Sequence, residues 1–173
     1  MNIYGEKIIL RGIETTDNEL LFDLVNDPDT EKMLGGTSWP VSKSEQFKWF
    51  ERQESRPDIL RCIVAVKETS NPVGTIILSD IDSKNGTAQI HIKMAKASGR
   101  GKGYGTDAVT TIVNYAFNEL RLNCIYAKVL SYNSISIRLF EKCGFQKDGV
   151  LRARIYKGGN FVDVIEYSIL RND

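Results

Sequence analysis

The densest run of potential chemistry in this chain is SGRGKGYGTDAV, Ser98 to Val109. Four glycines and two cations, Arg100 and Lys102, fall between Gly99 and Thr106, and an amphipathic segment follows directly. Glycines let backbone N–H groups turn to one side with no Cβ in the way, and the first turn of a helix presents unsatisfied N–H groups. Together they can cradle a phosphate, with an arginine fork adding charge. The spacing excludes a P-loop, because Gly101-Lys102 is followed by Gly103 where Ser or Thr is required. It fits a dinucleotide fingerprint poorly: Thr106 stands where the third glycine belongs, and no acid lies about twenty residues on, in LRLNC. What remains is Arg100-x-x-Gly103-x-Gly105, a pyrophosphate cradle, beside the plainer alternative of a turn that merely starts a helix. Asp107 would repel an anion and is expected to point aside.

Around this turn the sequence predicts a mixed α/β fold. KIILRGI (7–13) reads as a strand, and 17–26 as a helix with Asp17 at its N-cap and Leu20, Leu21, Leu24 and Val25 at helical spacing. Residues 27–45 form a long excursion containing two prolines, Gly35-Gly36 and Trp39, the kind of segment that often binds ligands. A short helix over 44–53 is expected to place Phe47 and Phe50 on one side. Strands 61–68 and 73–81 form a hairpin, and Asn85-Gly86 reverses the chain into strand 87–94. That strand alternates cleanly: Ala88, Ile90, Ile92 and Met94 on one face, Thr87, Gln89, His91 and Lys93 on the other. A helix over 106–120, a strand over 124–130, a helix over 133–143 capped by Gly144, and a hairpin of strands 150–156 and 161–170 complete the chain. The sheet is expected to be mostly antiparallel with one β-α-β crossover and helices on both faces. The length of 173 residues suits one domain.

Composition narrows the function classes. The net charge of +1 points to neither nucleic acid nor a membrane surface. No apolar run approaches the ~18 residues of a membrane span, and the start shows no signal-peptide pattern. Cys62, Cys124 and Cys143 are far apart, and with His91 they offer no zinc spacing, so no metal site is expected. Reduced thiols in a cytoplasmic protein are the expectation.

With these elements in place, three segments resemble the GNAT family of N-acetyltransferases. Arg100-x-x-Gly103-x-Gly105 is similar to its acetyl-CoA pyrophosphate loop, YNSISIRLFEKCGF (132–145) to its following helix, and YAFNELRLNCIYAKVL (115–130) to a run common in its RimJ/RimL-type branch. The resemblance implies a GNAT fold in which the strands before and after the loop are parallel neighbours that splay apart around the pantetheine arm. It implies that Arg100, Gly101, Lys102, Gly103, Tyr104, Gly105 and Thr106 hold the pyrophosphate and that Asn133 contacts the cofactor. A backbone N–H among Ile92, Lys93, Met94 and Ala95, freed by a one-residue bulge, would hold the acetyl carbonyl as an oxyanion stabiliser.

The acceptor would be a primary amine, attacking the thioester directly once neutral. Ser136 falls where some relatives place a serine near the coenzyme thiol. Phe140 departs from the pattern: many members have a tyrosine there as general acid. Then Ser136, Tyr132 or water would protonate the thiolate, or it would leave unaided. Asp80 and Asp82, ending strand 73–81, and Glu31 in the acceptor excursion are candidate bases or acceptor contacts, each with a solvated carboxylate as its plain alternative. His91 reads as a bystander. The acidic SDID suits a polyamine; Trp39, Trp49 and Phe50 suit a sugar. Aminoglycosides and protein N-termini are further acceptors of the branch. The rival reading is a non-catalytic acyl-CoA-binding module. The terminal hairpin offers a surface for a homodimer.

Overall fold

The structure, a computed structural model, describes residues 1–36, 39–52, 56–95 and 101–173. Its elements run β1 (Ile3–Tyr4), β2 (Ile8–Arg11), a 3-10 turn (Thr15–Asp17), α1 (Asn18–Asn26), α2 (Pro28–Lys32), α3 (Lys43–Glu51), β3 (Leu60–Val66), β4 (Pro72–Asp82), β5 (Thr87–Met94), α4 (Tyr104–Asn118), β6 (Cys124–Leu130), α5 (Ser134–Lys142), β7 (Gln146–Lys157) and β8 (Asn160–Leu170). The strands join in one sheet in the order β1-β2-β3-β4-β5-β6-β8-β7. Every neighbouring pair is antiparallel except β5–β6.

The sheet is covered on both faces, and β3 shows why. Cys62, Ile63, Val64 and Ala65 are all buried, an unbroken apolar run suited to a strand with helices on either side. Cys62 and Val64 join the larger core, built with Ile76, Leu78 and Ile90 against Val109, Ile112, Ala116 and Phe117 of α4. Ile63 and Ala65 face the other way, into a smaller cluster with Leu21 of α1. In α4 the buried positions recur at helical spacing, and fully burying one side chain such as Ile112 stabilises the fold by about 1.5–3 kcal/mol.

Several boundaries differ from expectation for physical reasons. The first strand is shorter than 7–13, and a second short strand, Ile3–Tyr4, pairs with it. The helix expected from Thr106 starts at Tyr104, because Gly103 at φ 83° serves as its N-cap. That backbone region is open to glycine and costly to residues with a Cβ. The helix 17–26 begins with Asp17 at its N-cap, yet the Asp17 carboxylate is engaged elsewhere: it is 1% exposed, takes both Arg11 guanidinium nitrogens at 2.7 and 2.8 Å, and accepts from Glu14 N–H at 2.8 Å. In α3 Phe47 is exposed and Gln46 is the buried residue. The final hairpin starts at Gln146 and not at 150, and turns through Gly158-Gly159 as expected.

Candidate active site

The feature that defines the site is a seam in the sheet. β5 and β6 pair only at Thr87–Cys124, Ala88–Ile125 and Gln89–Tyr126. Beyond those rungs β5 continues to Met94 and β6 to Leu130 without pairing, while each keeps its other neighbour. A gap therefore opens at the C-terminal ends of two parallel strands, the place where open α/β sheets bind ligands.

The direction of the β5 amides follows from one bond. Ala95 N–H donates to Val73 O at 2.9 Å, so it faces β4 and is already engaged. Backbone groups alternate along a strand; Lys93 N–H therefore also faces β4, and the amides of Ile92 and Met94 face the gap. Of the four candidate donors, Lys93 and Ala95 are turned to β4 and Ile92 lies on the open edge, while Met94 has an interaction of its own. The expected bulge in β5 is absent: the β4–β5 register is unbroken from Gly74–Met94 to Ser79–Gln89. The shift lies in β4, between Ser79 and Asp82, where Asp80 takes φ 51°. The departure of β6, with no bulge in β5, is what exposes this edge.

The glycine turn closes one end of the gap. Gly101, at φ 77°, Lys102 and Gly103 are exposed, and Tyr104, Gly105 and Thr106 form the first turn of α4. Arg100 lies outside the described residues. A Cβ on Gly105 would stand 3.7 Å from Met94 Cγ and 3.9 Å from Ile92 Cδ1, so this turn sits directly over the apolar face of β5. Asp107 does point aside: its carboxylate accepts from Lys7 N–H at 2.7 Å, Ile8 N–H at 3.0 Å and Glu6 N–H at 3.2 Å. This latch brings a residue that sequence reasoning missed. Lys7 Nζ lies 3.4 Å from where a Cβ on Gly103 would stand, placing a cation against the turn from a segment nearly a hundred residues away. No local pattern signals it.

The other end is closed by α5 and the segment that carries Lys32 and Met33. Asn133 is 4% exposed and both polar atoms of its amide are engaged within the protein: Oδ1 accepts from Ser136 N–H at 3.1 Å, capping α5, and Nδ2 donates to Met33 O at 3.0 Å. Its structural role here is to pin the excursion. Tyr132 does likewise, its hydroxyl donating to Lys32 O at 2.5 Å. Glu31 is ion-paired to Lys157 of β7, which removes it as a ready base. Ser136 is half-buried in the first turn of α5, while Trp39 is 68% exposed. Phe140 is buried and packs on Phe145 at 5.0 Å, so it belongs to the core.

On the opposite face of β5 lies a polar group. Ser79 Oγ is 2.8 Å from His91 Nε2 and 3.2 Å from Asp80 Oδ2. If the hydroxyl donates to Asp80, it accepts from Nε2–H, leaving Nδ1 with its lone pair. The ring keeps contact with solvent, yet its surroundings are dense enough that loss of hydration is the largest effect on it. That loss, with Lys93 and Lys128 nearby, holds His91 below its ordinary value despite Asp80. Asp82 is elsewhere: it accepts from Lys84 N–H and Asn85 N–H, both at 2.9 Å, and closes the β4–β5 turn.

Among the described residues no helix is long and apolar enough to cross a membrane. Comparison with known proteins agrees with the geometry. Residues 7–146 match the family model described as "Acetyltransferase (GNAT) domain". The chain is 34% identical to "Putative ribosomal N-acetyltransferase YdaF" of Bacillus subtilis, covering 98% of this chain and 94% of that protein. It is 32% identical to "Uncharacterized N-acetyltransferase p20" of Bacillus licheniformis, covering 99% and 97%. The fold superposes on the crystal structure of spermidine N-acetyltransferase from Vibrio cholerae, solved in complex with CoA and spermine, with a TM-score of 0.87 at 24% identity over 96% of each chain. The open seam, the glycine turn at its mouth and these matches lead to one conclusion: the chain belongs to the GNAT acetyltransferase family, enzymes that transfer an acetyl group from acetyl-CoA to an amine.

Proposed function

We propose that acetyl-CoA lies in the β5–β6 gap, with its pyrophosphate on the turn Arg100–Thr106 and its acetyl carbonyl on Ile92 N–H. The observation that carries this is the seam of three parallel rungs opening onto a glycine-capped helix. A neutral primary amine bound on the His91 face attacks the thioester carbon, the C–S bond breaks, and the thiolate leaves. His91 Nδ1, oriented through Ser79 and Asp80, takes the amine proton, and Ser136 in the first turn of α5 delivers one to the thiolate. Binding both reactants in near-attack geometry supplies much of the rate. The Y-A-F-x-x-L-x-L run and the likeness to YdaF over nearly the whole of both chains support a RimJ/RimL-type enzyme built as one domain, and three free cysteines suit a cytoplasmic protein. Tyr156 and Phe161, packed edge to face at 5.1 Å and exposed on the terminal hairpin, support a homodimer.

Thiol release from acetyl-CoA, measured with a panel of polyamines, amino sugars, aminoglycosides, amino acids and peptide N-termini, tests the reading. One class is expected to release thiol with formation of its N-acetyl product. Binding of acetyl-CoA with no release by any amine would return the non-catalytic reading.

A further inference from the structure

A second cavity, of about 270 Å³, lies on the His91 face of the sheet, between it and α1 and α3. Its walls are apolar: Leu21, Leu24 and Val25 from α1 and Trp49 from α3. Its polar lining is different in kind. Arg61 and Lys93 rise from neighbouring rungs of the sheet, since Arg61 pairs with Ile77, Ile77 with His91, and Thr75 with Lys93. Gln46, 7% exposed, lines the same space. Among the described residues none of these three side chains makes a hydrogen bond or ion pair. Asp58, which attracts Arg61, is itself bound by Arg56 at 3.0 and 2.6 Å. Burial, as the largest effect, pulls both Arg61 and Lys93 below their ordinary values, as expected for cations short of a counter-ion.

We propose that this cavity selects the acceptor, and that the acceptor is a small apolar amino acid whose carboxylate is held by Arg61 and Lys93 with Gln46, and whose side chain lies against Leu21, Leu24 and Trp49. The inference rests on the acetyltransferase reading above and names its substrate class. Two cations, an amide and the Thr75 hydroxyl lining a mostly apolar space favour one anionic group on a hydrophobic body, and an arginine fork suits a carboxylate's paired oxygens. The cavity is small for a drug-sized ligand, and suits a molecule of amino-acid size. A polyamine would bring positive charge to two cations that make no direct ion pair. The placement also fits the chemistry. His91 precedes Lys93 on the same face, two residues or roughly 7 Å along the strand, so an amino acid whose carboxylate lies between the Lys93 and Arg61 side chains carries its α-amine toward His91 and the open edge of β5.

Two measurements on the full chain test this. In thiol release from acetyl-CoA, free leucine is expected to exceed leucinamide and spermidine by at least about 30-fold in kcat/KM. Arg61→Gln is expected to raise the KM for leucine at least about tenfold while leaving that for acetyl-CoA unchanged. Independently of turnover, calorimetry in the presence of CoA is expected to show binding of 4-methylpentanoate, which lacks the amine, and not of 4-methylpentanamide. Arg61→Gln is expected to weaken that binding at least about tenfold. Equal binding of acid and amide, or of neither, overturns the carboxylate site whatever the turnover. Preference for spermidine or for amidated acceptors overturns the substrate class. Binding of the acid with no thiol release by any amine leaves the site standing and removes the transferase reading instead.

Discussion

At the scale of single residues, Gly103 carries the sharpest expectation. Its φ of 83° and its place as N-cap of α4 mean that a branched side chain there is strained and would crowd the pyrophosphate in the proposed site. Gly103→Val is expected to weaken acetyl-CoA at least about tenfold, measured by calorimetry, while circular dichroism at 25 °C stays that of the wild type. His91 offers a second. Its folded value is held below the ordinary 6.5, so the neutral ring is favoured at neutral pH, and the ring becomes charged only as pH falls through that lower value. The acid limb of kcat/KM is expected below about pH 6.5, and His91→Gln is expected to lower kcat/KM at neutral pH and remove that limb. A limb unchanged in the variant would assign the proton to another group. The residues themselves were unevenly legible. The glycine spacing announced the turn, because a turn's chemistry is local. Lys7 could not be read, since only the Asp107 latch brings it to Gly103. Asp82 and Glu31 looked available in sequence because their partners, the Asn85 turn and Lys157, become evident only once the chain is folded.

Among the elements, α5 does more than follow β6. Its N-cap ties the acceptor excursion to the site through Met33 O, and Tyr132 adds Lys32 O. Asn133→Ala removes a helix cap, worth about 1 kcal/mol, and leaves a part-buried carbonyl short of a donor, worth about 1–3 kcal/mol. A loss of about 2–4 kcal/mol in denaturant unfolding is expected, with a larger rise in KM for the acceptor than for acetyl-CoA. A cofactor-only role for Asn133 predicts the reverse pattern in KM. Strand periodicity was readable to within a residue in β5, where one face is buried and the other polar, and in β6. The start of α4 was misplaced because a positive-φ glycine cap lets the helix begin inside what reads as loop. The β4 bulge was invisible because Ser79-Asp80-Ile81-Asp82 keeps a strand-like pattern through the irregularity.

The whole molecule is two antiparallel half-sheets, β1–β5 and β6–β8, joined through β5 and β6 by three rungs. The mixed sheet with helices on both faces followed from the sequence of elements, since a β-α-β crossover makes the strands it joins parallel, whereas the place of β8 between β6 and β7 did not. How far β5 and β6 stay together did not, because nothing local to either strand says where pairing stops. The seam has a consequence for how the protein records its own occupancy. Along β5, successive amides belong to different worlds: Lys93 is committed to β4, and Ile92 looks across an unbridged edge. Deuterium should therefore enter this strand in a staggered rhythm, fast at Ile92 and slow at Lys93, when the protein is alone. With acetyl-CoA bound, the rhythm should flatten as Ile92 slows and Lys93 holds, measured by NMR-detected exchange. A cofactor resting anywhere else would leave the stagger untouched.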